Sequence, residues 1–362
     1  MPRVRAVADA VKVVRARGTL RAMEQLTLDV TGRIEWRDVP APRLEGDGEA
    51  LVRPLAVTRC DIDLPYVAGF LPPPRPFALG HECVGEITAL GDGVRGFRVG
   101  QRVIVPFQIS CGACARCTRG HTGSCERVPF LSAYGLPLQA HEWGGALSDL
   151  IRVPFADAML VAAPDGVPAG MLAALADNAS DGWRCVAPHL RARPDARVLV
   201  LAGMAPSIAL YVTDAARALG AASVEVVAQD ADVLRVATAL GATVQEAPPS
   251  AVRGAYDVVV DCTGDPAGLV AAVRATDKEG TCVCPVYYPG DGTPLPVGRM
   301  YTKGITSAAG RCHARAVLPD VVAAVAAGRL HTDRIVTRRV RWADAAAAMA
   351  EPTVKLLVER EL

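Results

Sequence analysis

The chain has 362 residues, of which 51% are hydrophobic and 21% charged, which is enough apolar material for one large or two ordinary domains. Its 39 basic and 38 acidic residues leave a formal charge of +1, and this balance gives no reason to expect a nucleic-acid or acidic-membrane partner. A long uncharged run, residues 198–212, contains a glycine, a proline and a serine, whereas a membrane span needs roughly 18 unbroken apolar residues. Composition therefore predicts a soluble protein.

The cysteines and the first residues bear on the cellular compartment. Residues 1–20 carry scattered basic side chains and no clean apolar stretch, so we expect an exposed arm or an upstream start codon rather than a secretory signal. Eleven cysteines without such a signal predict a reducing cytoplasm, where cysteines serve metal binding or catalysis before disulfides.

Most of the chain outside its middle third has the pattern of a β protein. Up to about residue 180, short alternating runs between glycines and prolines predict strands, as at 50–55, 83–89 and 102–106. The last 40 residues return to a strand-like run at 334–341 and an alanine-rich helix at 344–349.

Between these parts, apolar strands alternate with helix-length stretches. The predicted elements are strands at 198–201, 224–227 and 258–260 and helices at 209–219 and 232–240. Strands alternating with helices of about ten residues predict βαβ units, and therefore a parallel sheet with helices on both faces.

Four cysteines lie close together at Cys111, Cys114, Cys117 and Cys125. Their C-x2-C-x2-C-x7-C spacing in a glycine-containing loop is typical of four thiolates around one zinc ion at ~2.3 Å. Such a closed site contributes folding energy and leaves no position for a substrate. Unrelated core cysteines or an iron–sulfur cluster are the alternatives, although the Cys-Pro ending of a ferredoxin run is missing. We therefore predict a structural zinc lobe at 111–125.

A second set of candidate ligands lies upstream, with Cys60 in Cys-Asp-Ile-Asp63 and His81 in Gly-His-Glu82. One thiolate and one imidazole from separate loops make half of a catalytic zinc site. Glu82 is then either a carboxylate behind the ligands or an alternate ligand. Taken singly, such a cysteine and histidine are more often packing residues.

Together with the zinc lobe and the βαβ region, these motifs resemble the medium-chain dehydrogenase/reductase superfamily, zinc alcohol dehydrogenase type. The resemblance extends from about residue 23 to residue 358. The motifs that carry it are those of Cys60 and His81, Gly85, the turn at 91–100, the zinc lobe, the Trp-Gly-Gly-Ala segment from Trp143, and residues 259–264.

The resemblance implies a third zinc ligand just before the dinucleotide-binding region. In the branch that includes formaldehyde-dehydrogenase-like members an aspartate takes this place, and the matching residue is Asp177. We therefore expect Cys60, His81 and Asp177 to bind a catalytic zinc ion, with Cys185 as a packing residue. The alternative for Asp177 is a helix-capping or solvated carboxylate.

The chemistry that the resemblance implies is hydride transfer between an alcohol or carbonyl carbon and a nicotinamide, with zinc as a Lewis acid. The sequence departs from the family in its proton relay, because Ile62 stands at the place of a hydroxyl and Pro65 at the place of a histidine. Proton exit must then use water, Asp61 or Asp181. Asp181 stands where relatives often have a threonine near the nicotinamide.

The dinucleotide loop also departs from the family. G-x-G-x-x-G is expected after the first strand, where this chain has Ala-Gly-Met-Ala-Pro-Ser-Ile-Ala at 202–209. Aligning the following helix puts Ala209 at the third glycine and leaves a loop about two residues longer. Gly203 is retained, the helix N-terminus offers amide donors, and Ser207 adds a hydroxyl.

The choice between NAD and NADP depends on the end of the second strand. Ala228 stands where NAD enzymes have an acidic residue that holds the ribose, which permits NADP. Asp230 favours NAD if it turns inward, and NAD is the preferred expectation. The resemblance implies further cofactor contacts at Thr263, Gly264, Val286 and Lys355.

The implied architecture is α/β. A GroES-like, mainly β catalytic domain of residues 1–181 and 320–362 contains an inserted Rossmann domain, a doubly wound parallel sheet, of residues 182–319. The implied protein is a cytoplasmic zinc-dependent oxidoreductase with two zinc ions per subunit, NAD or NADP, a small alcohol or carbonyl substrate, and a homodimeric or homotetrameric assembly. Candidates for the wall of the substrate pocket are Tyr66, Phe70, Trp143 and Tyr301.

Two other functions stay open. The altered loop and the missing relay hydroxyl fit a zinc-binding member of this fold that has lost redox turnover, since fold does not fix function. A reductase of an activated C=C or C=N bond is the other alternative within the enzyme class.

Overall fold

The computed structural model describes residues 22–138, 143–288 and 292–361. The predicted N-terminal arm lies outside these residues. None of the helices in the described ranges is long and apolar enough to cross a bilayer.

The strands are numbered here in chain order. They are β1 (Ala22–Leu28), β2 (Ile34–Pro40), β3 (Ala50–Thr58), β4 (Phe77–Ala78), β5 (Glu82–Leu90), β6 (Arg102–Val105), β7 (Ile151–Val153), β8 (Val161–Ala162), β9 (Arg197–Ala202), β10 (Ser223–Ala228), β11 (Thr243–Glu246), β12 (Tyr256–Cys262), β13 (Thr276–Cys284), β14 (Thr306–Ala309), β15 (Arg338–Arg341) and β16 (Leu356–Glu359).

The helices are numbered in the same way. They are α1 (Asp63–Val67), α2 (Ala115–Thr118), α3 (Ala156–Met159), α4 (Ala169–Leu172), α5 (Asn178–Ala192), α6 (Pro206–Ala218), α7 (Ala231–Ala239), α8 (Pro266–Ala275), α9 (Val297–Lys303), α10 (Ala314–Ala326) and α11 (Ala345–Ala350). Short 3-10 turns are Thr122–Ser124, Ala173–Ala176, Pro249–Ala251, Thr332–Arg334 and Trp342–Asp344.

The mainly β part is built on an antiparallel sheet in the order β15-β16-β3-β5-β6-β8, with β7 also paired to β3 and only the β15–β16 pair parallel. A smaller sheet, β2-β1-β4, lies beside it. Strand β3 buries alternate residues along most of its length, as a strand with one face on a core does. The predicted strand at 334–341 is shorter than expected, since residues 332–334 form a 3-10 turn and β15 begins at 338.

The α/β part is a six-stranded, fully parallel sheet in the order β11-β10-β9-β12-β13-β14. This is the 3-2-1-4-5-6 order of a doubly wound dinucleotide-binding sheet. After Arg197, strand β9 is apolar because both of its faces are covered. Val198 and Val200 belong to one core cluster, and Leu199 and Leu201 belong to another. The predicted fold class is confirmed. The limits at 181/182 and 319/320 stay a prediction.

Helix α5 joins the two parts and packs against α6 at a glycine. A Cβ atom at Gly182 would lie 2.6 Å from the carbonyl carbon of Tyr211, which is closer than packed atoms tolerate. The close approach of the two helices therefore requires glycine at position 182.

We expect Gly182→Ala to lower the free energy of unfolding by about 1–3 kcal/mol, because the added methyl group forces α5 and α6 apart. The matched control is Gly298→Ala in α9, where a Cβ would meet nothing within 4 Å. Alanine is the better helix former there, so the control is expected to be neutral or slightly stabilising. Thermal unfolding of both variants checks this, and equal midpoints would contradict it.

Candidate metal centres and nucleotide crevice

Two adjacent strands and the start of α5 bring three potential metal ligands together. Cys60 follows β3 and His81 precedes β5, and these strands pair with Thr58 opposite Glu82. Asp177 is the N-cap residue of α5. Cys60 Sγ lies 3.4 Å from Asp177 Oδ2, and His81 Nε2 lies 3.6 Å from the same oxygen. All three donor atoms lie within 4.8 Å of one another.

These distances fit one tetrahedral zinc ion, whose ligands at ~2.0–2.3 Å stand roughly 3.3–3.8 Å apart. Both ring nitrogens of His81 are buried and have no hydrogen-bond partner among the described residues. Buried polar atoms are rarely left without a partner, and a metal on Nε2 would provide one. The soft thiolate, the imidazole and the carboxylate are all ligands that zinc accepts.

The alternative for Asp177, a capping or solvated carboxylate, does not describe its surroundings. Asp177 occupies the N-cap position of α5, but its side chain makes no capping hydrogen bond. Only 6% of the residue is exposed. Its carboxylate faces the thiol and the imidazole instead.

The electrostatics of this group favour a cation. Burial acts to lower the pKa of His81, but the carboxylates of Asp63 and Asp177 outweigh it and raise the pKa to about 9. The pKa of the Cys60 thiol is raised well above its ordinary value by burial and by the nearby carboxylates of Asp177 and Glu82. A bound divalent cation opposes both shifts, because it stabilises the thiolate and the neutral imidazole.

Other buried side chains hold these ligands in place. Asp63 Oδ1 lies 3.7 Å from His81 Nδ1, and Asp63 Oδ2 accepts the Cys60 amide proton at 3.0 Å. The Asn178 amide donates to Cys60 Sγ at 3.1 Å and to Asp177 Oδ2 at 3.2 Å. A carboxylate behind a metal-bound histidine fixes the tautomer and the ring orientation. Neither role was predicted, although the Cys-x-x-Asp spacing was the available signal for Asp63.

Glu82 lies behind the ligands rather than among them. One carboxylate oxygen accepts the main-chain amide proton of Asn178. The other accepts from the Thr58 hydroxyl and from the Lys355 ammonium at 2.6 Å. Of the two positions considered for Glu82, the structure supports the carboxylate behind the ligands.

Lys355 is placed differently from its predicted position at a cofactor phosphate. The residue is 0% exposed, and its ammonium also donates to Asn178 Oδ1 at 2.7 Å. Its charge balances Glu82 inside the protein, since a buried charge needs a partner. Lys355 therefore supports the metal ligands and does not face the crevice.

Asp181 lies one turn after Asp177, in the first turn of α5. Its carboxylate accepts from Arg184 Nε at 2.5 Å. Burial raises the pKa of Asp181 to about 7, although Arg184 opposes the shift.

The four cysteines of the lobe also come together, with all four sulfurs within 4.8 Å of one another. Main-chain amides point at the sulfurs, as from Cys111 to Cys125 Sγ and from Glu126 to Cys114 Sγ, each at 3.4 Å. Such amides lower the pKa of Cys114 to about 6. Gly112 and Gly120 have φ of +70° and +82°, and these left-handed positions let the loop turn around a single ion.

A cavity of about 340 Å³ lies at the carboxyl ends of β9, β10 and β12, where doubly wound sheets bind ligands. Predicted cofactor residues that line it are Gly203, Ala228, Asp230 and Thr263. A Cβ at Gly203 would lie 2.7 Å from Thr263 Cα, so the close approach of these two loops requires glycine.

The phosphate-binding part of this crevice differs from expectation. Ser207, predicted to contact a cofactor, is fully buried, and its hydroxyl donates to Asn178 Oδ1 at 2.8 Å. The main-chain amides of Ser207 and Ile208 donate to the Asp61 carboxylate at 3.3 and 3.1 Å. The main-chain amides expected to bind a phosphate beside the cavity are thus engaged by the chain itself.

A parallel sheet of this order, a buried Cys-His-Asp group and a four-cysteine lobe now stand together in one chain. The family model of the alcohol dehydrogenase GroES-like domain matches residues 46–165. This match and the geometry of the site support a zinc-dependent alcohol dehydrogenase of the medium-chain type.

Two relatives and one solved structure are similar to this chain. A probable zinc-binding alcohol dehydrogenase of Mycobacterium tuberculosis is 28% identical over 91% of this chain and 85% of its own length. A glutathione-independent formaldehyde dehydrogenase of Pseudomonas aeruginosa is 32% identical, over 37% of this chain and 36% of that one. The alcohol dehydrogenase TADH from Thermus sp. ATN1 superposes with a TM-score of 0.82 at 27% identity, covering 93% of this chain and 99% of that chain.

The remaining predicted residues of this zinc-type dehydrogenase have varied positions. Val286 packs against the core of the parallel sheet. Gly264 has φ of +65° and lies against Met204. Tyr301, considered for the substrate pocket, is 88% exposed on α9, and Phe70 is also exposed. Tyr66 is buried against Phe77.

Proposed function

We propose that the protein is a zinc-dependent oxidoreductase that transfers hydride between a small alcohol or carbonyl substrate and NAD(P). The observation that carries this proposal is the link between the Cys60–His81–Asp177 group and the dinucleotide helix. The side-chain amide of Asn178 donates to two of the three ligands. Its side-chain oxygen, Oδ1, accepts from the Ser207 hydroxyl at the start of α6. The metal group therefore adjoins the end of the sheet where a nicotinamide is expected.

Each residue of the group has a proposed role. Cys60, His81 and Asp177 hold the catalytic zinc, which supplies Lewis-acid polarisation of a substrate oxygen when bound. Asp63 orients His81, while Glu82 and Lys355 orient Asn178. Asp181 is proposed for proton exit, since Ile62 has no hydroxyl. The four lobe cysteines hold the second, structural zinc.

The assembly proposed is a homodimer or homotetramer in the cytoplasm. Strand β14 ends the parallel sheet, and all four of its residues are exposed. The neighbouring helix α9 exposes Val297 and Tyr301. An uncovered edge strand beside exposed apolar side chains favours pairing with a second copy.

NAD is the proposed cofactor. Strand β10 ends at Ala228, and Asp230 lines the cavity while one of its oxygens caps α7. A carboxylate at this edge of the cavity disfavours a 2′-phosphate.

Titration of the zinc-loaded protein with NADH and NADPH, followed by nicotinamide fluorescence, tests the proposal. We expect saturable binding of both, with the lower Kd for NADH. Asp230→Asn keeps an effective helix cap and is expected to narrow the difference between the two cofactors. Binding of neither form by folded, zinc-loaded protein contradicts the oxidoreductase function and favours the alternative that has lost turnover. The observation that favours this alternative is that the amides of Ser207 and Ile208 already donate to Asp61.

A further inference from the structure

Asp61 is a buried carboxylate at the N-terminus of the dinucleotide helix. It follows Cys60 directly and is 6% exposed. Its Oδ1 accepts the Ser207 amide proton at 3.3 Å and its Oδ2 accepts the Ile208 amide proton at 3.1 Å. These are the first amides of α6 that have no carbonyl partner within the helix, because Pro206 at its start has no N–H.

The other amides of this loop are engaged as well. Met204 donates its amide proton to the Thr263 carbonyl oxygen at 3.0 Å, and Ala205 donates to the Cys262 carbonyl oxygen at 3.1 Å. A pyrophosphate at the start of such a helix is bound by main-chain amides and by the positive end of the helix dipole. Of the acceptors that engage the loop from Met204 to Ile208, Asp61 is the charged one.

A carboxylate and a phosphate cannot share these donors. Each of the two amides has one proton to donate, and two anions in contact at a buried site repel each other. The crevice beside them, lined by Gly203, Ala228 and Thr263, is about 340 Å³ in volume and does not include Asp61. The crevice itself is therefore free, while the amides beside it that would bind a phosphate are engaged by the Asp61 side chain.

We propose that Asp61 sets the dinucleotide affinity by competing with the cofactor's pyrophosphate for the amides of Ser207 and Ile208. This inference rests on the proposed function. A dinucleotide must displace the carboxylate before its phosphates can take these amides, so part of its binding free energy is used for that displacement.

The competition also involves the metal group. Asp61 is bonded in sequence to Cys60, and Ser207 is linked through Asn178 to Cys60 and Asp177. A move of the carboxylate away from α6 therefore takes place within the loop that carries a zinc ligand. Asp61 acts on cofactor binding and is a positioning residue, since it touches no reacting atom.

Calorimetric titration of the zinc-loaded full chain with ADP, adenosine and NADH tests the proposal. ADP carries the two phosphates, whereas adenosine fills the same cavity without them. For Asp61→Ala we expect the Kd of ADP and of NADH to fall about tenfold or more, as for a charged hydrogen-bonded competitor. For Asp61→Asn, which keeps an acceptor but loses the charge, we expect a smaller fall. The Kd of adenosine should stay within about twofold of wild type. Adenosine has no phosphates and therefore does not compete with Asp61 for the two amides.

The control is Asp214→Asn, a buried aspartate on the same helix whose carboxylate accepts the His331 amide proton. It is expected to leave all three Kd values unchanged. Zinc content and thermal midpoints of every variant show that the fold and the metal group are intact, and Asp61→Asn keeps the test valid if Asp61→Ala unfolds.

The outcomes separate this inference from the proposed function. Tighter binding of ADP and NADH but not adenosine supports competition, also when wild type binds neither. Wild-type binding of NADH that the Asp61 variants do not improve overturns the competition and leaves the oxidoreductase function standing. Failure of every variant to bind NADH and ADP overturns both. An equal gain for adenosine and ADP overturns the competition, since it reveals a general change of the cavity.

Discussion

Cys60→Ser is expected to lower kcat/KM by roughly 10³-fold or more while the protein stays folded. Loss of the thiolate leaves His81 and Asp177 as an incomplete ligand set, and Lewis-acid polarisation contributes several kcal/mol to such reactions. The zinc content should fall from two ions per chain to one. The measurements are metal analysis and the rate of NADH oxidation with the carbonyl substrate that a screen identifies.

Cys185→Ser is the matched control for this prediction. Cys185 is also buried and lies on α5, but it is outside the ligand group of Cys60. We expect two zinc ions per chain and near wild-type activity. Full activity of Cys60→Ser with one zinc ion would contradict the assignment of the catalytic ligands. It would also favour a reductase that uses no metal, such as one for C=C or C=N bonds.

Cys117→Ser is expected to have its largest effect on stability rather than on chemistry. Loss of one of four thiolates opens the structural site, and zinc binding to such sites is itself folding free energy. We expect loss of the lobe's zinc ion and a fall of the thermal midpoint by about 5 °C, which corresponds to roughly 3–5 kcal/mol in a chain of this size.

The lobe matters beyond its own loop because the chain after β14 docks on it. Arg311 donates to the Gly123 carbonyl oxygen, and His313 Nδ1 accepts the Gly123 amide proton at 3.1 Å. Proteolysis of Cys117→Ser should therefore begin both in the lobe and near residue 311. With Cys185→Ser again as control, an unchanged midpoint after loss of the lobe's zinc ion would show that the site is not structural.

The local pattern of the sequence was sufficient for much of the fold. Strands β9, β10 and β12 and helices α6 and α7 lie within a few residues of their predicted places, because apolar strands and their flanking glycines are local signals. The end of the chain was less well predicted. The strand predicted at 334–341 begins only at Arg338, because a 3-10 turn extends to Arg334.

The metal groups were predicted to different depths. The lobe cysteines are close in sequence, so their spacing alone implied a common site. Asp177 could be named only through the family resemblance, because nothing local separates a ligand from a helix cap. Its partners Asp63 and Asn178 were missed, since their roles arise from the contact between the end of β3 and the start of α5.

The α/β class, the parallel sheet, the grouping of the four lobe cysteines and the pairing of Cys60 with His81 could all be predicted from the sequence alone. Spacing and periodicity are local properties of the sequence, so they can be recognised without knowledge of the tertiary contacts. The partners of Lys355 and Asp61 could not be predicted in this way, because they depend on contacts between distant parts of the chain. Lys355 meets Glu82 across 273 residues of sequence, and Asp61 meets Ser207 across 146. Contacts of that separation follow from how the two parts of the chain pack, and a buried charge takes whichever partner that packing provides.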